Sequence, residues 1–193
     1  MMNKLQIQTR SGDFVTDPPI ANLLFNSRIF AVVWLVVRVL LGWAWLEPGL
    51  HKLSDPAWTQ TGEALKKSWT GMVANIKFDW YRAFIQGMLD SGAYTWFAKL
   101  VVAGEIMVGV CLILGAFVGI AAFVGGFMNW NFIMAGSAST NGLLFAAAVL
   151  LILAWKSAGY YGLDRYLLRL IGTPWRGVDA PTPPEVVRQA PAH

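Results

Sequence analysis

Arg38 and Glu105 are ionisable residues set inside apolar runs, Arg38 within Ile29–Leu46 and Glu105 within Tyr94–Leu114. A charge at the centre of a membrane helix costs roughly 2.5–3.5 kcal/mol on insertion scales, so such residues face a bundle interior and take a partner. The signs are opposite, which makes each a natural partner for the other. Two readings stay open. A buried ion pair can simply fix helix packing. Alternatively, the pair can form a catalytic polar site, where the guanidinium donates to a carbonyl and the carboxylate relays a proton.

Aromatic and amide residues surround this pair. Trp34, Arg38 and Trp45 recur at helical spacing with Leu41 and Gly42, so they share a face. Two tryptophans beside an arginine can hold a planar ring, or can serve as packing and interface anchors. Asn129 and Trp130 bring polar groups to a later apolar run, where an Asn normally bonds a neighbouring helix. These four residues, Trp34, Trp45, Asn129 and Trp130, are the candidate lining of a cofactor pocket. Beyond the first run stand Glu47, His51, Lys52 and Asp55. His51 is a candidate acid–base group near neutral pH. Lys52 and Arg82, with Lys66, Lys67 and Lys77, are cations that can draw an anionic substrate, or are solvated loop charges.

Some chemistry is excluded. The two histidines are His51 and His193, which cannot supply two axial ligands to a haem within one span bundle. The single cysteine, Cys111, allows no intrachain disulfide and no Cys-rich metal site, so no metal is expected. No glycine-rich phosphate loop follows a strand pattern. Redox chemistry, if present, falls to a diffusible quinone.

The elements that must position these residues are helices in a membrane. Of the 193 residues, 56% are hydrophobic and 13% charged, against about 25% charged in soluble domains. The net charge is +4, but the basic residues flank apolar runs, where lipid headgroups account for them and nucleic acid need not. Four runs approach the roughly 17–25 residues of a span. They are Ile29–Leu46, ended by Glu47-Pro48-Gly49; Tyr94–Leu114; Phe117–Ala135; and Leu143–Trp155, which continues toward Tyr160. A tight hairpin near Gly115–Gly119 separates the second from the third. Gly115, Gly119, Ala122 and Gly126 put small residues on the third and permit close approach.

The fold expected is an all-α membrane protein, a four-transmembrane-helix bundle with short amphipathic helices in the first extracytoplasmic loop. Residues 1–28 form a cytoplasmic segment with no cleaved leader, residues 29–170 the membrane domain with loop 52–93 outside, and residues 171–193 an extended or docked tail. Basic residues favour cytoplasmic termini in an inner (plasma) membrane. In the loop, Trp58, Leu65, Trp69, Met72 and Ile76 recur at helical spacing, as do Tyr81, Phe84, Ile85, Met88 and Leu89. Tyr160–Leu170 reads as an interfacial helix with Arg165 and Arg169 on one side. With antiparallel first and second spans, Arg38 and Glu105 both lie about 13 Å deep and can meet.

Arg38-Val-Leu-Leu-Gly42 followed by Gly49-Leu-His-Lys52-Leu53 resembles the first-helix signature of the DoxX family. Gly104-Glu105, Gly109 and Leu114-Gly115 resemble the second. Trp80-Tyr81-Arg82-Ala-Phe84 and Gly159-Tyr-Tyr-Gly-Leu163-Asp164-Arg165 are similar to the DoxD branch, the membrane subunit of thiosulfate:quinone oxidoreductase. The resemblance spans about residues 28–170. It implies four membrane helices, oxidation of thiosulfate to tetrathionate with electrons passed to quinone, and a separate small subunit. Arg38, Glu105 and His51 would then be catalytic, and Lys52 and Arg82 would face thiosulfate. The competing reading is a non-catalytic accessory subunit that stabilises a larger membrane complex. A small transporter is a third, with no inverted repeat to support it.

Overall fold

Residues 17–137 and 139–171 are described by the structure, a computed structural model. The expectations for residues 1–16 and for the tail 172–193 lie outside the described residues. Within the described residues the secondary structure is helical, without strands. The order is α1 (Pro19–Asn26), α2 (Arg28–Leu53), α3 (Pro56–Thr59), α4 (Glu63–Met72), a 3-10 turn at Val73–Asn75, α5 (Asp79–Asp90), α6 (Tyr94–Leu114), α7 (Val118–Met134), α8 (Asn141–Leu153), α9 (Trp155–Ala158) and α10 (Asp164–Ile171).

Ser27 starts α2: its backbone is extended and its hydroxyl accepts the Phe30 N–H at 3.3 Å. The expected stop at Glu47-Pro48-Gly49 does not occur. α2 runs through Pro48 to Leu53. Pro48 removes the N–H that would bond the Ala44 carbonyl, yet neighbouring helices tolerate such a break inside an apolar bundle. This extension adds two turns and carries Lys52 along the face of α6.

α2 and α6 are long and apolar enough to cross a bilayer, while α7 and α8 are shorter apolar helices. The fourth apolar run breaks at Ala154 and resumes as α9, so it does continue toward Tyr160. α2 and α6 run antiparallel with backbones almost touching. A Cβ on Gly42 would lie 2.9 Å from the Gly109 carbonyl, and one on Gly109 would lie 2.8 Å from the Gly42 carbonyl. The small residues of α7 do the same for α8 and α9: a Cβ on Gly126 would meet Ala148, and one on Gly119 would meet Trp155. Trp34, Leu41, Val108, Leu112, Ala122, Leu151 and Ala154 fill the core between these helices.

The loop after α2 folds as a helical cap. Leu65, Trp69, Ile76, Tyr81 and Ile85 are buried with Ala98 of α6 and Ala135 beyond α7, and Trp58, Met72, Met88 and Leu89 pack around them. The amphipathic spacing therefore found its partners in the bundle mouth. Phe84 departs from that pattern and stays exposed. Tyr81 pins cap to bundle by donating its hydroxyl to the Asn131 carbonyl at 3.0 Å. Burial pushes this hydroxyl above its ordinary range, which keeps it a donor.

Candidate functional site

Arg38 and Glu105 do not meet. Gly49 is level with Glu105, whereas Arg38 is level with Gly115. The two ionic groups are separated by about eleven residues of helix, some 16 Å. The depth argument failed because it set Ile29 level with Leu114, whereas Arg38 is level with Gly115, so α2 begins more than two turns beyond the end of α6.

Arg38 closes the end of α6. Its Nη1 donates to the Leu112 carbonyl at 2.5 Å and the Ile113 carbonyl at 2.9 Å, and its Nη2 to the Tyr161 carbonyl at 3.0 Å. Leu163 and Asp164 donate their backbone N–H groups to the Leu114 and Gly115 carbonyls. The last carbonyls of α6, which a helix leaves unpaired, are thus all used. Asp164 turns the other way and accepts from the Phe117 and Val118 N–H groups at 2.5 and 2.9 Å, at the start of α7. Gly115 is left-handed at φ 68°, and a Cβ there would lie 2.6 Å from the guanidinium. One guanidinium and one carboxylate therefore weld the α6–α7 turn to the segment before α10. Asp164 was not singled out for this from the sequence; it lies 46 residues from its partner, beyond any local periodicity.

Glu105 is paired instead with Lys52, Oε1 to Nζ, at 2.5 Å. The Glu105 side chain is 2% exposed and that of Lys52 is 23% exposed, so the pair joins interior to mouth. The Lys52 ammonium also lies 4.9 Å from the Trp58 ring. Beside them is a cavity of about 340 Å³, bounded by α2, α4, α6, α7 and the start of α8. Trp45, Pro48, Lys52, Glu105 and Asn129 line it, with Ser68, Ser137 and Asn141 toward the cap.

Four buried polar atoms of residues that line this cavity have no protein hydrogen-bond partner: Glu105 Oε2, Asn129 Oδ1, Asn129 Nδ2 and Trp45 Nε1. An unsatisfied buried polar group costs about 1–3 kcal/mol. One wall carries all four on its residues. It offers two N–H donors and two oxygen acceptors, with a charge pair behind them. Gly125 makes room for the indole: a Cβ there would lie 3.0 Å from Trp45 Nε1. Phe132 tilts against the Trp45 ring at 6.2 Å and supplies an apolar face.

The structure gathers Glu105, Lys52, Trp45 and Asn129 in one place, and leaves the other candidates elsewhere. Trp34 stacks on Phe25 at 5.8 Å and donates its indole N–H to the Leu24 carbonyl at 2.7 Å, holding α1 down. Trp130 lies against Phe127 and Tyr81, outside the cavity wall. His51 is exposed. Arg82 donates to the Ile76 carbonyl and pairs with Asp79 at 2.9 Å, so it secures the cap. Lys66, among the cations of the loop, is held by Glu63 and Tyr94, which raise its pKa. Pro48, Trp58, Ser68 and Asn141 are cavity residues the sequence reading passed over. Pro48 in a helical register one turn before a lysine was the one signal available.

Long apolar helices, an interior charge pair and a polar cavity among them define a helical membrane protein. The DoxX family model matches residues 33–136, more than half of the chain, and the chain belongs to the DoxX family. The match covers α2 to α7 and includes Arg38, Trp45, Lys52, Glu105 and Asn129. No curated protein and no solved structure matches the chain.

Proposed function

We propose that this protein is the integral membrane subunit of a quinone-linked oxidoreductase, with four spans and both termini on the cytoplasmic side of the plasma membrane. The observation that carries the reading is the set of four buried, unpartnered polar atoms on the residues that line the cavity at the Lys52–Glu105 pair. Those groups fit a quinone headgroup. Trp45 Nε1 and Asn129 Nδ2 would donate to its oxygens, Glu105 Oε2 would accept from a hydroxyl of the reduced quinol, and Phe132 would flank the ring. A bound quinone supplies the capacity to take up two electrons and two protons. The protein's part is to orient the ring, exclude water and hold a proton at Glu105, with Lys52 linking that carboxylate to the mouth.

Thiosulfate is the electron donor in this reading. Its support is the likeness of Trp80–Phe84 and Gly159–Arg165 to the DoxD branch. Lys52, at the mouth, is the cation placed to meet it. A dianion would not enter far, because it would give up its hydration in a cavity lined largely by apolar side chains. The donor site is therefore completed by a second subunit on the cap. The test is thiosulfate-dependent quinone reduction in membranes holding the protein with its co-purifying partners. Glu105→Gln and Lys52→Met should each cut the rate at least about tenfold, the effect of losing one charge-assisted hydrogen bond. Unchanged rates in both variants would remove the cavity from the reaction.

A second reading, a non-catalytic accessory subunit, is favoured by the structural employment of Arg38, Trp34 and Arg82. Stoichiometric co-purification with a larger complex, with the cavity indifferent to quinone, would select it.

A further inference from the structure

At the end of the bundle opposite the cap, two arginines converge on one ring. The Arg28 guanidinium lies 5.5 Å and that of Arg165 5.2 Å from the centroid of Tyr160. Arg28 opens α2 and Arg165 belongs to α10, so residues far apart in sequence bring like charges to one ring. Neither arginine is in an ion pair among the described residues. The neighbouring carboxylate, Asp164, is turned inward onto the Phe117 and Val118 N–H groups and does not face them. Lys156, 6.0 Å from the Trp155 ring, adds a third cation on α9.

The positions are fixed by the fold. Trp34 and Ser157 each donate to a carbonyl of α1, at Leu24 and Phe25, both at 2.7 Å, which sets the chain entering Arg28. Asp164 and Arg38 fix the start of α10. The adjoining helices α1 and α10 carry exposed apolar side chains. Ile20 of α1 is 73% exposed, and Tyr166 and Leu170 of α10 are 66% and 83% exposed. Cations bordered by exposed apolar residues at one level of a membrane bundle match the boundary of headgroup and acyl chain.

We propose that Arg28 and Arg165, gathered on Tyr160, bind the phosphate of an anionic phospholipid, whose acyl chains lie against the outward apolar residues of α1 and α10. Charge complementarity selects the headgroup. Each guanidinium lies over the same ring, which keeps the two cations in one patch. This site is separate from the cavity and does not depend on the redox reading.

The test is native mass spectrometry of the purified chain after exchange into equal parts phosphatidylglycerol and phosphatidylcholine. The wild-type chain should retain phosphatidylglycerol preferentially. Arg28→Gln/Arg165→Gln should lower that preference by roughly fivefold for each arginine lost. Arg28→Gln alone, at an exposed side chain, should give an intermediate value and keeps the test open if the double variant does not fold. Lys66→Gln/Lys67→Gln, the same charge change on the cap, should keep the wild-type preference. Inorganic phosphate should not displace the lipid, because it has no acyl chain. Equal retention of both lipids by wild type would overturn the proposal. So would wild-type preference in Arg28→Gln and the double variant, an equal loss in the cap variant, or displacement by inorganic phosphate.

Discussion

Single side chains in this protein divide into those spent on architecture and those held in reserve. Arg38 and Asp164 have their charges absorbed by backbone groups at a helix end. Lys52 and Glu105 neutralise each other but leave one buried carboxylate oxygen without a protein partner. Removing one member of a buried pair strands the other charge, whereas removing both can be nearly neutral. Lys52→Met should therefore destabilise the protein by about 3 kcal/mol, the low end for a buried pair with one partner near the mouth. Lys52→Met/Glu105→Gln should recover most of that loss, measured by denaturant unfolding in a fixed detergent. Asn129→Leu should act in the opposite sense. It replaces two unpartnered amide atoms with an apolar group of like size, so stability should hold or rise while ligand binding falls.

At the scale of elements, the α6–α7 turn and the extension of α2 decide where everything else sits. Gly115 combines a left-handed backbone with the closest approach of the Arg38 guanidinium. Gly115→Ala should cost about 1–2 kcal/mol for the backbone alone, and more for the displaced guanidinium. Thermal unfolding should show it as a clear drop in midpoint, with Gly136→Ala, at a glycine whose added Cβ meets nothing, showing only the backbone part. Much of the element pattern was legible in the sequence. The cap helices followed from the spacing of Leu65, Trp69, Tyr81 and Ile85, and the hairpin from Gly115. The end of α2 was not legible. Glu-Pro-Gly reads as a stop where water can take the freed carbonyl, but packed neighbours let this helix continue. That boundary, with the offset between the start of α2 and the end of α6, misplaced the partner of Glu105, because two more turns bring Lys52 alongside it.

For the whole molecule, the bundle is a clamp with its polar interior at one end and its charge lock at the other. Glycine-to-backbone contact between α2 and α6 sets the spacing that Arg38 and Lys52 both bridge. The candidate site was half legible: Trp45, Lys52, Glu105 and Asn129 were found by residue type, while their grouping without Arg38, Trp34 or Trp130 needed three-dimensional register. The cap folds over the cavity mouth, and Tyr81 ties it to Asn131. Tyr81→Phe should therefore quicken hydrogen exchange across α4 and α5 while leaving α2 and α6 protected, as read by mass spectrometry. The central claim is that the cavity beside Lys52 and Glu105 holds a quinone. Its most direct test is equilibrium binding of a quinone to the purified chain in lipid nanodiscs, comparing wild type with Asn129→Leu. The account predicts saturable binding at one site per chain, weakened at least about tenfold by a substitution that leaves the unfolding midpoint intact. No saturable binding by wild type, or equal binding by both chains, would contradict it.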